Sequence, residues 1–298
     1  MKHSYFPEGG LWLKGNLHSH STVSDGALSP EELAALYAEK GYDFLSMTDH
    51  NVFVAHSELP PETLLLLTGT EHDIEYSPDK CTHLVGICAA DKAQSDYDCR
   101  RYSKEELTDQ QLVEMMHDDG QFVTLAHPVW SRMLPEEVLA LEHLDAIEVY
   151  NNGTEHLCHG GNAELYWDLL LRRGKHVLAM ACDDVHVPED LFGGWIWLKA
   201  SARTPEAVLS ALHAGHFYAT SGPQIFDFGM ENGRVYLECS PCRAIHFVTY
   251  EPRGKSCFAG EGESLTSASY LLTGRERYVR AVCEDERGCP AWSQPIFF

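Results

Sequence analysis

LWLKGNLHSHS, residues 11–21, is the stretch from which the fold is read. An apolar, alternating run ends in two histidines two positions apart. Strand side chains alternate faces, so His18 and His20 point the same way. Asp25 follows in the loop S-D-G. Then comes SPEELAALYAEKG, with Ser29 as N-cap, Pro30 at the first helical position and Gly41 as the stop. Strand, ligand-bearing loop and helix together make one β/α unit.

The same unit recurs outward along the chain. FLSMTDH closes on His50, and LLLLTGTEHD carries Glu71. HLVGICAA opens on His83, with only eleven residues between it and Glu71. That gap is too short for a helical crossover, so a hairpin is expected there. SKEELTDQQLVEMMHDDG reads as a helix and FVTLAHP as a strand ending at His127. A short helix at PEEVLALEH precedes the strand AIEVYNN. The helix NAELYWDLLLRRG leads to VLAMACDDVH, which presents Asp184 and His186 in the spacing of His18 and His20. GWIWLKA and the helix TPEAVLSALHAG, capped by Thr204, complete the series. Seven or so strands fit a distorted (β/α)7 barrel better than a doubly wound sheet. No glycine-rich nucleotide fingerprint follows the first strand.

Past Ser221-Gly222-Pro223 the pattern changes to short alternating runs: GRVYLEC, AIHFVTY, SYLLTG and YVRAVC. These predict a small antiparallel, sandwich-like β domain. The expected division is therefore 1–221 and 222–298.

The 298 residues are 44% hydrophobic, enough for a large core. Net charge is −23. An acidic chain repels polyphosphate backbones, so a small-molecule substrate, a phosphate ester, is expected and a nucleic-acid duplex is not. No apolar run spans a bilayer, and the N-terminus lacks a signal-peptide core. A cytoplasmic location with no membrane partner is expected, and with it ten reduced cysteines. Cys239 and Cys242 form a C-x-x-C, with Cys283 and Cys289 downstream.

Nine side chains carry the chemistry: His18, His20, Asp25, His50, Glu71, His83, His127, Asp184 and His186. Imidazole and carboxylate are ligands for Zn, Mn and Fe. Singly, each reads as a hydrogen-bonded structural residue, as do His56, His72, His117, His143 and His213. Gathered at strand ends, the nine can meet at one face of a barrel, where such folds place their sites. Alternation selects Asp184 over Asp183, because Asp184 shares a face with His186. Asp49 reads equally as an orienter of a ligand imidazole or as a strand-end cap. Arg132, Asn151, Asn152 and Trp130 are candidates for contact with a substrate, Arg132 through a phosphate oxygen. Asp184 and His186 are the candidates for moving a proton.

The ordered set H-S-H-S-x-x-S-D-G, T-D-H, G-x-E, H-L-x-G, A-H-P and D-V-H resembles the polymerase and histidinol phosphatase (PHP) family over roughly residues 11–220. F-Y-A-T-S-G-P and A-W-S-x-P-I resemble a sub-branch with an appended β domain. The resemblance implies two or three divalent ions, Zn, Mn or Fe. It implies a first set of His18, His20, Glu71 and Asp184. Glu71 would bridge to a second set with His83 and His127. Asp25, His50 and His186 would form a third. The implied activity is hydrolysis of a small phosphorylated metabolite through a water shared between metals. The alternatives are ester, amide or carbamate hydrolysis on the same scaffold and, ranked lower, a non-catalytic metal-stabilised binding module.

Overall fold

The computed structural model describes residues 2–53, 64–77, 79–89 and 99–298. His56 and the end of the HLVGICAA run, Ala90, lie outside the described residues. The strands are β1 (Lys2–Ser4), β2 (Leu11–Asn16), β3 (Phe44–Met47), β4 (Leu65–Ser77), β5 (Lys80–Cys88), β6 (Phe122–Leu125), β7 (Ala146–Asn151), β8 (Leu178–Cys182), β9 (Trp195–Ala200) and β10 (Phe217–Thr220). There follow β11 (Ile225–Glu231), β12 (Arg234–Cys242), β13 (Ala244–Thr249), β14 (Lys255–Phe258), β15 (Leu265–Leu271), β16 (Tyr278–Glu284), β17 (Pro290–Trp292) and β18 (Ile296–Phe297). The helices are α1 (Pro30–Glu39), α2 (Asp109–Asp118), α3 (Pro135–Ala140), α4 (Asn152–Cys158), α5 (Glu164–Arg172) and α6 (Pro205–His213).

The protein is mixed α/β with one large mixed sheet and a second, four-stranded antiparallel sheet of order β1-β11-β12-β15. The large sheet runs β14-β13-β16-β17-β10-β9-β2-β3-β4-β5-β6-β7-β8. Neighbours β2–β3, β3–β4, β6–β7 and β7–β8 are parallel. The pairs β4–β5 and β5–β6 are antiparallel, as is β9 with both β2 and β10. Among the described residues the ladder has no strand pairing that joins its end strand to β2. Its end strand β8 meets the extension of β2 through one isolated bridge, Ser19 with Val185.

Two features cross the expected boundary at 221/222. The N-terminal strand β1 pairs with β11 in the four-stranded sheet. The C-terminal strand β17 pairs with β10, so the large sheet continues into the C-terminal region.

Local chemistry sets the helix ends. Ser29 Oγ accepts from Glu32 N at 3.2 Å, and Glu32 Oε2 accepts from Ser29 N at 2.8 Å, a reciprocal cap for α1. α2 starts later than the sequence suggested. Thr108 and Gln111 make the same reciprocal cap, while Ser103 and Glu106 close a separate turn before it. α4 was not anticipated. It follows β7 without a gap, because Asn151 Oδ1 accepts from Thr154 N at 2.9 Å and starts the helix despite Gly153.

Leu13, Leu17, Phe44, Val85, Ile87, Phe122 and Met180 pack within the large sheet. Gly15 stands opposite Phe44, and a Cβ there would fall 2.0 Å from the Phe44 ring. The glycine makes room for the ring in the core. A separate cluster, including Phe228, Val235, Leu237, Phe247 and Val279, fills the C-terminal region.

Candidate metal centre

Backbone register assembles the centre. His20 N donates to Val185 O at 3.0 Å, and Asp184 N donates to His18 O at 2.9 Å. The H-x-H and D-x-H pairs therefore lie side by side, on adjacent extensions of β2 and β8. His50 bridges to Glu71 in the same way, beyond β3 and within β4. In the β4–β5 hairpin His83 stands opposite Asp73, two residues along from Glu71. Two of the nine have left-handed backbones, His127 at φ 24° and Asp184 at φ 50°. Non-glycine residues take that conformation at a cost, one often met where a side chain is aimed.

Four donor atoms converge most tightly. His18 Nε2 and His20 Nε2 are 3.1 Å apart. His20 Nε2 lies 3.1 Å from Glu71 Oε2 and 3.2 Å from Asp184 Oδ1. His18 Nε2 is 3.2 Å from each of the same two oxygens. Glu148 Oε1 holds His18 Nδ1 at 2.6 Å. That contact places the proton on Nδ1 and turns the Nε2 lone pair inward. Two ring nitrogens at that distance hold either a shared proton or a cation between them. Glu71 Oε2 and Asp184 Oδ1 are buried without a hydrogen-bond partner, and so is His50 Nδ1. A tetrahedron with such edges has a centre ~2.0 Å from its corners, the Zn–N and Zn–O distance. The residues fit a divalent cation.

Glu71 divides its oxygens. Oε2 faces His18 and His20, with His50 Nδ1 at 3.3 Å. Oε1 faces His83 Nδ1 at 2.9 Å and His127 Nε2 at 3.1 Å. A third grouping is looser: His20 Nδ1, His50 Nε2 and His186 Nε2 lie 3.6–3.7 Å from the Asp25 carboxylate. All nine residues thus gather around one mouth.

Electrostatics follow the geometry. Burial opposes charge on His18 and His20, but the surrounding carboxylates of Asp184 and Glu71 outweigh it, raising His18 well above its usual range and His20 to about 9. For His83 burial is again overcome, chiefly by Glu71, and its pKa is pushed up to about 10. Glu71 and Asp184 are held well below the carboxylate range by the imidazoles, against their burial. Burial lowers His50.

A supporting layer went unread in the sequence. Glu148, buried in β7, also accepts from His127 N and from Asn151 Nδ2, each at 2.9 Å. Its signal was an acid in the middle of the apolar run AIEVY. Asn151 is buried; its Nδ2 also reaches Asp184 Oδ2 at 3.0 Å while its Oδ1 caps α4. Its side chain is thus spent on positioning a carboxylate, not on substrate contact. Asn152 Nδ2 is likewise bound to Asp190 O at 2.7 Å. Arg132 is exposed, with φ 58°, and does not line the cavity. Among the described residues Asp49 reaches no imidazole. It accepts from Ser21 N, Ser21 Oγ and Ser24 Oγ, all at 2.8 Å, and so pins the loop between His20 and Asp25. Asp183 turns away to Tyr37 and the amides of residues 192–194.

A cavity of about 860 Å³ opens over the cluster. Trp130 stands edge-on to His83 and His127, with ring centroids 5.6 and 4.9 Å away. Leu157 of α4 and Val187 line it while largely exposed. Among the described lining residues are Glu189 and Asp190, and no lysine or arginine.

Comparison with known proteins places this geometry. No family model matches the chain. A stretch of 42 residues is 48% identical to the DNA polymerase/3'-5' exonuclease PolX of Bacillus subtilis, covering 14% of this chain and 7% of that protein. A stretch of 106 residues is 30% identical to a 5'-3' exoribonuclease of Haemophilus influenzae, covering 34% of this chain and 38% of that one. The chain thus matches well under half the length of either relative. Over nearly the whole length, 99% of this chain and 98% of the other, the fold is that of a two-domain protein from Bacteroides vulgatus containing a predicted PHP-like metal-dependent phosphoesterase (TM-score 0.52, 16% identity). The PHP resemblance read from the motifs is borne out at the level of fold. Among the described residues no helix is long and apolar enough to cross a membrane.

The expected partner set needs correction. Both sequence relatives bear names of enzymes acting on nucleic acid, so the exclusion of nucleic acid in favour of a small molecule falls. The error was physical. Net charge describes the whole surface, whereas substrate is met by the local field of a site, which bound cations would invert.

Proposed function

We infer that this PHP-type fold carries a metal-dependent phosphoesterase that cuts a phosphoester at a nucleotide or at the end of a nucleic-acid strand. The supporting observation is the four-atom set His18, His20, Glu71 and Asp184, with its two imidazole nitrogens 3.1–3.2 Å from each other and from two orphaned carboxylate oxygens. Bound divalent cations would supply Lewis acidity toward the phosphoryl oxygens and toward water. The tight set suits Zn by size and ligand type, and Mn or Fe by ligand type. Glu71 serves two groups at once, through Oε2 and Oε1. Asn151 and Glu148 fix Asp184 and His18. His186 stands at the cavity wall beside Asp25. Where their group holds no ion, its Nε2 is the atom to pass a proton to the leaving oxygen. Bound cations would offset the acidic rim of Glu189 and Asp190, and the Trp130 face suits a base.

A second reading has its own observation. A lining with Trp130, Leu157 and Val187 and no described cation suits an uncharged ester, amide or carbamate. One experiment separates the two. Metal-loaded protein is offered 5'- and 3'-phosphorylated oligonucleotides, mononucleotides, aryl phosphates, aryl esters and carbamates. Phosphoester cleavage that chelation stops is expected. Cleavage confined to carboxylic esters or carbamates overturns the first reading. No cleavage across the panel overturns both.

A further inference from the structure

The C-terminal region holds a second convergence of ligand atoms, far from imidazole. Cys239 and Cys242 lie on β12, and Cys283 lies on β16 of the large sheet. All three are buried, and their sulfurs lie within 4.8 Å of one another. This is not what alternation dictates. Residues three apart in a regular strand face opposite sides. The β12–β15 register shifts between Glu238 and Cys242, and this bulge brings both thiols to the inner face. Cys283 meets them from the facing sheet, from a position opposite Ile245.

We propose that Cys239, Cys242 and Cys283 form a closed site for one thiophilic d10 cation that staples the four-stranded sheet to the large sheet. Sulfur-only, three-point coordination in a dry pocket selects soft ions of the Zn(II)/Cd(II) or Cu(I) kind and excludes Mg and Ca. Val235, Leu237, Phe247 and Val279 surround the thiols and keep water out. The site owes nothing to the imidazole–carboxylate centre. Removing it leaves the nine residues of that centre in place.

The full reduced chain is titrated anaerobically with Cd(II) and, separately, with Cu(I) buffered by a chromophoric chelator. The expected result is one equivalent that brings a sulfur-to-metal charge-transfer band in the ultraviolet, over and above any Cd(II) that the imidazole–carboxylate centre takes up without such a band. Cys239→Ser and Cys283→Ser should each lose that band and weaken binding by at least about tenfold. Which ion survives chelator competition identifies the class. Because a variant can misfold, the wild type carries a second readout: alkylation during a denaturant pulse, followed by peptide mass analysis. Metal should slow labelling at positions 239, 242 and 283 and leave exposed Cys158 unchanged. A band that persists in both variants, labelling indifferent to metal, or a Cys239–Cys242 disulfide in protein purified under reductant overturns the proposal.

Discussion

Charge is buried in two regions of this protein, and the two are built on opposite logic. At the interface of α5 and β16, Arg280 is fully buried. It donates to Asp168 at 2.9 Å and to Glu164 at 2.7 Å, and it packs over Trp167. Trp292 Nε1 donates to Glu164 as well, at 3.1 Å. There a cation is met by anions and the guanidinium fork is largely used. At the mouth of β2, β4 and β8 the donors are acceptors facing acceptors. Glu71 Oε2, Asp184 Oδ1 and two imidazole nitrogens meet, and the positive charge the oxygens find there is that of imidazoles raised into taking up protons when no cation is bound. A buried cluster in which opposite charges meet supports the fold even with Arg280 Nη1 left over, whereas acceptors that the fold keeps assembled against one another mark a binding site.

Breaking each cluster should therefore give opposite phenotypes. The largest effect expected is for His20→Ala, which opens the tight four-atom set. Turnover of the best phosphoester should fall on the order of 10²–10³-fold, with the far-ultraviolet circular dichroism unchanged. Full activity in this variant would refute the centre. Arg280→Ala should do the reverse. Stranding two acids against an apolar wall is expected to cost about 3 kcal/mol in denaturant unfolding, with metal content intact. A variant as stable as the wild type would remove the contrast.

Two smaller tests sharpen the comparison. Glu148→Gln keeps the shape but weakens the hold on His18 Nδ1. Metal affinity should drop about 10–100-fold, measured by chelator competition, with unchanged melting of the metal-free protein as the control. An unchanged affinity would reduce Glu148 to packing. The last test is pH. In chelated protein His20 and His83 have folded pKa values raised to about 9 and about 10. The sign is that of groups binding more protons when folded. Their contribution is fully present below about 6.5 and is lost as pH rises through about 10. Melting temperature of the chelated protein should decline across that window, and of the metal-loaded protein much less. Parallel curves would show that the imidazoles are not what the cation replaces.

The candidate site was legible in the sequence to an unusual degree, because its signal is local. His18 with His20, and Asp184 with His186, need only the two-residue period of a strand to share a face. The caps of α1 and α6 were readable for the same reason: Ser29, Pro30 and Thr204 act within one turn. α4 was missed because AIEVYNN was read as strand to its end, and the cap that starts the helix there is a side-chain hydrogen bond to Asn151. Net charge misled, because it averages over a surface that the site does not sample.

Sequence alone therefore determined the ligand types, their order and their phase along each strand. These are properties of a few consecutive residues and the stereochemistry of the backbone. Tertiary structure alone decided that Glu148 grips His18 from 130 residues away, that β1 joins the C-terminal sheet and that the ladder's end strand meets the extension of β2 through Ser19 and Val185. Such partners are set by register and close packing between distant segments, and no local period encodes them.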